Sequence, residues 1–164
     1  AALITNPGQF DIMDSLKKAY PGIVELIHDD PNNEIGKNIG QALSNPMFAS
    51  KMKAKMWVHN ADSPTELLKL WLEYNLMEVS QLIQCPTLVL DSENESLSPG
   101  QAEMFFESLS CPKYYHLFTA KDGAGEHCEA GASSLSNQYI LDWLQKILVT
   151  EQALRDCEKL GSGL

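Results

Sequence analysis

The chain has 164 residues, 44% of them hydrophobic and 21% charged, so it is long and apolar enough to fold around a core of its own. Its formal net charge of −10 argues against nucleic acid as a partner, because binding to phosphates depends on lysine and arginine. No apolar run approaches the roughly 20 residues of a membrane helix, and the first residues lack the features of a signal peptide. We therefore expect a globular protein that binds neither nucleic acid nor membrane.

Residues 1–10 are predicted to form a first strand and its turn. Ala1 to Thr5 is a short apolar run that Asn6-Pro7-Gly8 ends, which favours a buried strand over a helix. The run resembles a strand that starts in mid-fold, with no methionine ahead of it. We therefore expect the chain to be a fragment of a larger protein.

Residues 11–83 are predicted to be mostly helical and to form an insertion after that strand. Ile12, Leu16 and Ala19 share one helix face, and Pro21-Gly22 ends the helix. Asp30-Pro31 marks a second helix start. The apolar residues that continue its period are Ile35, Ile39 and Leu43.

The clearest helix start in this insertion is Ser63-Pro64-Thr65-Glu66. Ser63 can accept hydrogen bonds from the free backbone N–H groups, Pro64 fits the first helical position, and Glu66 completes a capping box. The apolar stripe that follows consists of Leu67, Leu68, Trp71 and Leu72.

Methionines and tryptophans at helical spacing are predicted to lie mainly in the core. The methionines are Met47, Met52 and Met56, and the tryptophans are Trp57, Trp71 and Trp143. Such residues usually pack against other apolar side chains, although Trp57 and the methionines could instead line an acyl pocket.

Residues 84–148 are predicted to alternate strand and helix, and residues 149–164 to form a C-terminal tail. Thr87 to Leu90 and Lys113 to Phe118 are the strands, and Ser98-Pro99-Gly100-Gln101 opens the helix between them. The last helix has an apolar stripe of Ile140, Trp143, Leu144, Ile147 and Leu148. This order indicates parallel strands with crossover helices, so we expect an α/β fold with about three parallel strands.

The loops after these two strands carry the candidate functional residues, because ligands collect at the carboxyl ends of parallel strands. The first loop contains Asp91, Glu93 and Glu95, and the second contains His127 after a glycine-rich turn. A carboxylate and a histidine on adjacent loops are the arrangement that orients an imidazole as a general base. The glycines would let the histidine loop turn sharply.

The remaining histidines and the cysteines give weaker signals. His116 alternates in a strand and is expected to be packed, while His28 and His59 lack partners at useful spacing. Glu126-His127-Cys128-Glu129 superficially suggests a metal site, but adjacent residues rarely face one ion and no second pair follows at finger spacing. We expect no metal and no cofactor. The four cysteines, namely Cys85, Cys111, Cys128 and Cys157, are typical of reduced thiols in a cytoplasmic protein.

Two stretches resemble the C-terminal half of the α/β-hydrolases. CPTLVLDSENESLSPGQAEMFFESL is similar to the strand and loop that carry the acid of the catalytic triad, with Glu95 in the place of the usual aspartate and Pro99 matching. KYYHLFTAKDGAGEHCEAGA, followed by ILDWLQKIL, is similar to the closing strand, the histidine loop and the last helix, which makes His127 the catalytic histidine. The resemblance is to the cytosolic branch of FrsA-like esterases, pseudo-oxynicotine hydrolases and fungal polyketide-shortening hydrolases. The opening AALITNPGQFD is similar to the strand after that branch's nucleophile helix.

The resemblance implies a partial α/β-hydrolase domain with a helical, lid-like insertion. It implies a serine-type hydrolase that acts on ester, acyl or C–C bonds of a small-molecule substrate. Glu95 would orient His127, with Asp91 and Glu93 as alternatives for the acid. Glutamate departs from the family's usual aspartate, but triads with glutamate occur.

The G-x-S-x-G motif that carries the family's nucleophile is absent from these residues. We therefore expect the chain alone to be inactive, and to bind its missing N-terminal half or a homodimer mate through the edge of the first strand. The alternatives are a non-catalytic binding or assembly module derived from the hydrolase fold, and an unrelated α/β binding domain. The substrate, the nucleophile and the oligomeric state stay open.

Overall fold

A computed structural model describes residues 1–19, 22–28, 37–38, 41 and 43–161. The predicted helix end at Pro21 and the predicted second helix around Asp30-Pro31, Ile35 and Ile39 lie outside the described residues. The chain divides into two compact units, one formed by Ala1–Phe10 with Leu76–Leu164 and the other by Asp11–Asn75. Residues 76–83, predicted as part of the helical insertion, therefore belong to the first unit.

The first unit is built on a parallel sheet of three strands, β1 (Leu3–Thr5), β2 (Thr87–Ser92) and β3 (Lys113–Phe118), in that order. Leu3 pairs with Thr87, and Ser92 pairs with Phe118. The carboxyl ends of all three strands therefore lie at one edge of the sheet. The predicted α/β class and the predicted parallel strands are confirmed.

Strand β2 lies in the middle of the sheet, and all six of its residues are buried. It runs two residues beyond the predicted end at Leu90 and includes Asp91 and Ser92. These polar side chains tolerate burial because each has a hydrogen-bond partner, Tyr115 for Asp91 and Glu129 for Ser92.

A helix covers each face of the sheet. Helix α5 (Gln101–Ser108) packs Ala102 and Phe105 against Val89 on one face. On the other face, helix α6 (Ser133–Gly161) packs Trp143 against Leu88 and Leu90. Because successive side chains of a strand point to opposite faces, β2 contributes apolar residues to both of these interfaces. Burying one large apolar side chain stabilises the fold by about 1.5–3 kcal/mol.

Helix α6 continues well beyond Leu148, the residue after which a tail was predicted. The segment 149–164 therefore begins inside the helix. No helix among the described residues, α6 included, is both long and apolar enough to cross a membrane.

The second unit contains the helices α1 (Asp14–Ala19), α2 (Ile23–His28), α3 (Pro46–His59) and α4 (Pro64–Leu72). Its buried apolar cluster consists of Met13, Ile27 and Leu68, with partly buried side chains such as Trp71 and Leu72 packed around it. The predicted start of α4 is confirmed: Ser63 Oγ accepts a hydrogen bond from the Glu66 amide at 3.1 Å. The Glu66 carboxylate in turn accepts one from the Asp62 amide at 2.7 Å.

Helix α3 corrects the prediction that its methionines and tryptophan lie in the core. None of its residues is buried, and the exposed fractions of Met47 and Trp57 are 68% and 84%. The reason is the direction in which the side chains leave the helix. Met52 and Met56 lie on one side and are half-buried, whereas the opposite side carries the exposed Met47, Trp57 and Val58.

His59 was predicted only to lack partners at useful spacing along the sequence, and in the fold it has two hydrogen-bond partners. Its Nε2 accepts a hydrogen bond from the Trp71 indole at 3.2 Å, and its Nδ1 lies 3.3 Å from the Tyr74 hydroxyl. Because α3 and α4 pack against each other, residues 12 and 15 positions away along the chain become neighbours of this ring. His59 is thus part of the packing inside the second unit.

Candidate active site

The structure brings Glu95 and His127 together at the carboxyl edge of the sheet. His127 Nδ1 lies 2.6 Å from Glu95 Oε2. Glu95 stands in the loop between β2 and α5, and His127 opens a 3-10 helix (His127–Glu129) in the loop between β3 and α6. An ionised carboxylate can only accept a hydrogen bond, so in this contact the ring is the donor and its proton lies on Nδ1.

The Glu95 side chain is held by hydrogen bonds other than its contact with His127. Its other oxygen, Oε1, accepts hydrogen bonds from the backbone amides of Leu97 at 2.7 Å and Ser98 at 2.9 Å. Burial alone raises the pKa of the Glu95 carboxyl. The hydrogen bonds from Ser98, His127 and Leu97 outweigh that effect, so the pKa of this carboxyl lies below its ordinary value.

His127 combines a fixed Nδ1 with an accessible ring. Its side chain is 36% exposed, whereas that of Glu95 is 4% exposed. Within the described part of the chain, no hydrogen bond to His127 Nε2 is found. With the proton held on Nδ1, the Nε2 lone pair of the neutral ring is able to accept a proton from a group that approaches it.

The two loops that carry this pair are joined to each other by backbone hydrogen bonds. The Glu93 amide donates to the Phe118 carbonyl at 2.9 Å, and the Asn94 amide donates to the Gly125 carbonyl at 2.7 Å. The Asn94 side-chain amide also donates to the Glu126 carboxylate at 3.0 Å. The distance between Glu95 and His127 is therefore set by the loops and not by the two side chains alone.

Two glycines shape the histidine loop. Gly123 has a φ of +75°, in the left-handed region that side chains rarely adopt. A Cβ on Gly125 would stand 2.6 Å from the Ala120 nitrogen and 2.8 Å from its Cα. The predicted sharp turn is thus achieved by one backbone conformation at Gly123 and one close approach at Gly125.

The alternative acids are engaged elsewhere. Asp91 is buried in β2, where Oδ1 accepts from the Ser92 amide at 2.8 Å and Oδ2 from the Tyr115 hydroxyl at 2.8 Å. Glu93 is exposed and accepts from the Ala120 amide at 2.7 Å. The carboxylate that contacts His127 is that of Glu95.

His116 is packed, as its sequence position predicted. Its ring stacks on Tyr139 with centroids 3.8 Å apart and an interplanar angle of 18°. Burial lowers the pKa of the His116 imidazole, against the opposing influence of the Asp122 and Glu129 carboxylates.

A buried carboxylate that the sequence did not reveal, that of Glu129, lies two residues after His127 in the same 3-10 helix. Glu129 has no exposed surface, accepts a 2.6 Å hydrogen bond from the Asn6 side-chain amide and accepts one of 3.3 Å from the Ser92 hydroxyl. Asn6 follows β1 and Ser92 ends β2, so this carboxylate joins the histidine loop to both strand ends. The sequence offered the residue within Glu126-His127-Cys128-Glu129, but no spacing signal distinguishes a buried carboxylate from a solvated one.

Cys128, next to the histidine, is not poised as a nucleophile. Burial raises the pKa of its thiol, and the negative charges of Glu129 and Glu95 act in the same direction. The thiol lies 3.6 Å from the Asn6 carbonyl and is therefore held as a donor. Among the described residues, no group of three or more potential ligands could hold a metal ion.

Comparison with protein-family models, with curated proteins and with solved structures finds no match to this chain.

Proposed function

We propose that the chain is part of a serine-type hydrolase in which Glu95 and His127 are the acid and the base of the catalytic triad. The observation that carries the proposal is the 2.6 Å contact between a carboxylate fixed by two backbone amides and a histidine whose side chain is 36% exposed. The sequence resemblance of both loops to the α/β-hydrolases supports the same assignment. At the position of the acid the chain departs from that family's usual aspartate, but the glutamate found there can perform the same role.

The reaction follows from the two nitrogens of the ring. Nε2 would take the proton of a serine hydroxyl as its oxygen attacks the acyl carbon, and Glu95 would stabilise the imidazolium that forms. As the tetrahedral intermediate collapses, Nε2 would return the proton to the leaving oxygen, nitrogen or carbon. Water activated by the same nitrogen would then release the acid and regenerate the serine. The substrate would be a small molecule with an ester, acyl or C–C bond.

No G-x-S-x-G motif occurs in these 164 residues, so the proposed reaction requires a serine from another part of the protein or from a partner. We propose that the missing half of the fold supplies it and binds along the free edge of β1. In this sheet β1 pairs with β2 on one side, and no described strand pairs with its other side. A homodimer mate is the alternative occupant of that edge.

The second candidate function is that of a binding or assembly module, and it is favoured by the lack of a G-x-S-x-G motif in these residues. A hydrolase fold that has lost its nucleophile would survive as a binding or assembly module. In that case the Glu95–His127 contact would orient a loop and perform no proton transfer.

The test is covalent labelling with a fluorophosphonate probe, which reacts with activated serines. Both the 164-residue chain and the longest natural form of the protein are labelled, each as wild type, His127→Ala and Glu95→Gln. Among these six proteins we expect labelling only in the longer wild type, and ester hydrolysis by the longer form reduced about 10³–10⁴-fold in both variants. His28→Ala, a change at an exposed histidine in the second unit, is the control and keeps full labelling.

Absence of labelling in a folded longer protein would leave the binding module as the better account. Retention of labelling in folded His127→Ala would remove the histidine from the mechanism. Equal activity in Glu95→Gln and wild type, with a loss in Asp91→Asn or Glu93→Gln, would transfer the role of the acid.

A further inference from the structure

Glu129 is the one carboxylate of the histidine loop that has no exposed surface. Burying a charged group is unfavourable unless hydrogen bonds compensate, and here each of its oxygens accepts one. The partners come from two different strand ends, Asn6 after β1 and Ser92 at the end of β2. Glu129 itself lies two residues after His127.

The backbone around Glu129 has an unusual conformation that these contacts hold. Cys128 and Glu129 have φ values of +52° and +50°, so two successive non-glycine residues are left-handed. Such conformations persist where surrounding contacts over-determine them, and they occur preferentially at functional sites. The Cys128 thiol adds a third link, to the Asn6 carbonyl. Together these three contacts attach the loop to the ends of β1 and β2 immediately after His127.

We propose that Glu129 is a positioning residue whose hydrogen bonds to Asn6 and Ser92 hold His127 in register with Glu95. This inference rests on the proposed function of that pair. Glu95, in the loop between β2 and α5 (the acid loop), fixes the ring itself, while Glu129 fixes the backbone that carries the ring. Neither contact alone determines where the ring lies, because one acts on the side chain and the other on its loop.

The test observes the His127 ring directly, by ¹⁵N-detected correlation spectra of its two nitrogens in the 164-residue chain. Wild type is expected to show one tautomer, protonated at Nδ1. In Glu129→Ala we expect this pattern to be lost to a mixture that includes the Nε2-protonated ring. In Glu129→Gln the wild-type pattern is expected to persist. The oxygen of the glutamine amide can still accept from the Ser92 hydroxyl, and its NH₂ group can donate to the Asn6 side-chain oxygen once the Asn6 amide has rotated.

Two further comparisons keep the outcome decisive. Glu107→Ala removes an exposed carboxylate on α5 and should leave the His127 spectrum unchanged. If Glu129→Ala does not fold, Asn6→Ala and Ser92→Ala each remove one of the two hydrogen bonds, and each should give the tautomer mixture in a folded chain.

A folded Glu129→Ala chain with the wild-type ring spectrum would overturn the proposal, as would a Glu129→Gln spectrum that matches Glu129→Ala. Unchanged spectra in both single-bond variants would do the same. This readout needs no enzyme activity. Failure of fluorophosphonate labelling with a single wild-type tautomer would therefore count against the hydrolase alone.

Discussion

Glu95 uses its two carboxylate oxygens for different purposes. Oε1 receives the amides of Leu97 and Ser98, which belong to its own loop, while Oε2 receives the ring of His127 from the neighbouring loop. The local bonds fix the direction of the carboxylate, so the second oxygen is presented without the rotational freedom of an ordinary glutamate. These hydrogen bonds restrain a side chain that is one methylene longer than aspartate and would otherwise have more rotamers to lose.

The depressed pKa of the Glu95 carboxyl predicts how stability changes in acid. Its ordinary value is 4.5, and the value in the folded state is lower, so the ionised form favours folding. That contribution is complete above the ordinary pKa and is lost as the pH falls through the folded pKa. We expect wild type to lose more free energy of unfolding than Glu95→Gln between about pH 6 and pH 3, measured by urea denaturation.

The control for this prediction is Glu107→Gln, which neutralises an exposed carboxylate and should retain the wild-type pH dependence. Parallel pH profiles for wild type and Glu95→Gln would mean that the Glu95 carboxylate contributes nothing specific to folding.

The sequence placed Glu95 and His127 near each other because a general rule of parallel sheets sufficed: both follow strands that end at one edge. It could not reveal Glu129 or the partners of His59. Both depend on side chains from other elements, 123 positions away for the Asn6–Glu129 hydrogen bond. It also ended β2 at Leu90, since the polar Asp91 and Ser92 look unsuited to a buried strand until their partners are known. The catalytic role of the pair stays a prediction.

At the scale of elements, Gly125 decides how closely the histidine loop can fold. Ala at this position would press its Cβ against the backbone of Ala120, which cannot move as a side-chain tip can. We expect Gly125→Ala to lower the free energy of unfolding by about 1–3 kcal/mol. The loop would move away from Asn94, so the single His127 tautomer should also be lost.

Gly123→Ala is the matched comparison for that change. Its Cβ would meet nothing within 4 Å, so the cost is limited to the left-handed backbone, about 1–2 kcal/mol. A Gly125→Ala chain whose stability and ring spectrum both equal those of wild type would show that the close approach is relaxed in solution.

Helix α4 offers a simpler case, in which the local sequence was enough. Ser63 supplies the cap, and we expect Ser63→Ala to reduce the free energy of unfolding by about 1 kcal/mol in urea denaturation. Ser50, exposed on α3, is the control, and Ser50→Ala should change stability by less than about 0.5 kcal/mol. Equal stabilities of the two variants would contradict the role of the cap.

At the scale of the whole molecule, the sheet has a backbone edge that could accept another strand. The Leu3 amide donates to the Pro86 carbonyl at 3.0 Å, towards β2. Because alternate residues of a parallel strand direct their backbone groups to opposite sides, the Ile4 N–H is directed to the free edge of β1. Such an edge is a template for association.

We predict that the chain associates in a concentration-dependent manner and that Ile4→Pro weakens this association. Proline removes the outward N–H yet is tolerated on edge strands. Since proline also removes the apolar side chain, Ile4→Ala is the control. In a symmetric dimer each copy contributes one Ile4 N–H, so proline removes two hydrogen bonds of about 1.4 kcal/mol each. We expect sedimentation velocity to give a dissociation constant roughly a hundredfold higher for proline than for alanine. A monomer at every concentration, or equal effects of both changes, would exclude pairing at this edge.

The hydrogen bonds between the acid loop and the histidine loop also constrain how the protein can diverge or be redesigned. Because the Asn94 amide meets the Gly125 carbonyl and the Glu93 amide meets the Phe118 carbonyl, an insertion in one loop would shift the register of the other. The two loops therefore form one structural unit, even though a helix and a strand separate them in sequence. In chimeras with other sheets of this kind, crossover points between Ser92 and His127 should disrupt the contact between Glu95 and His127, whereas exchange of the whole segment should preserve it.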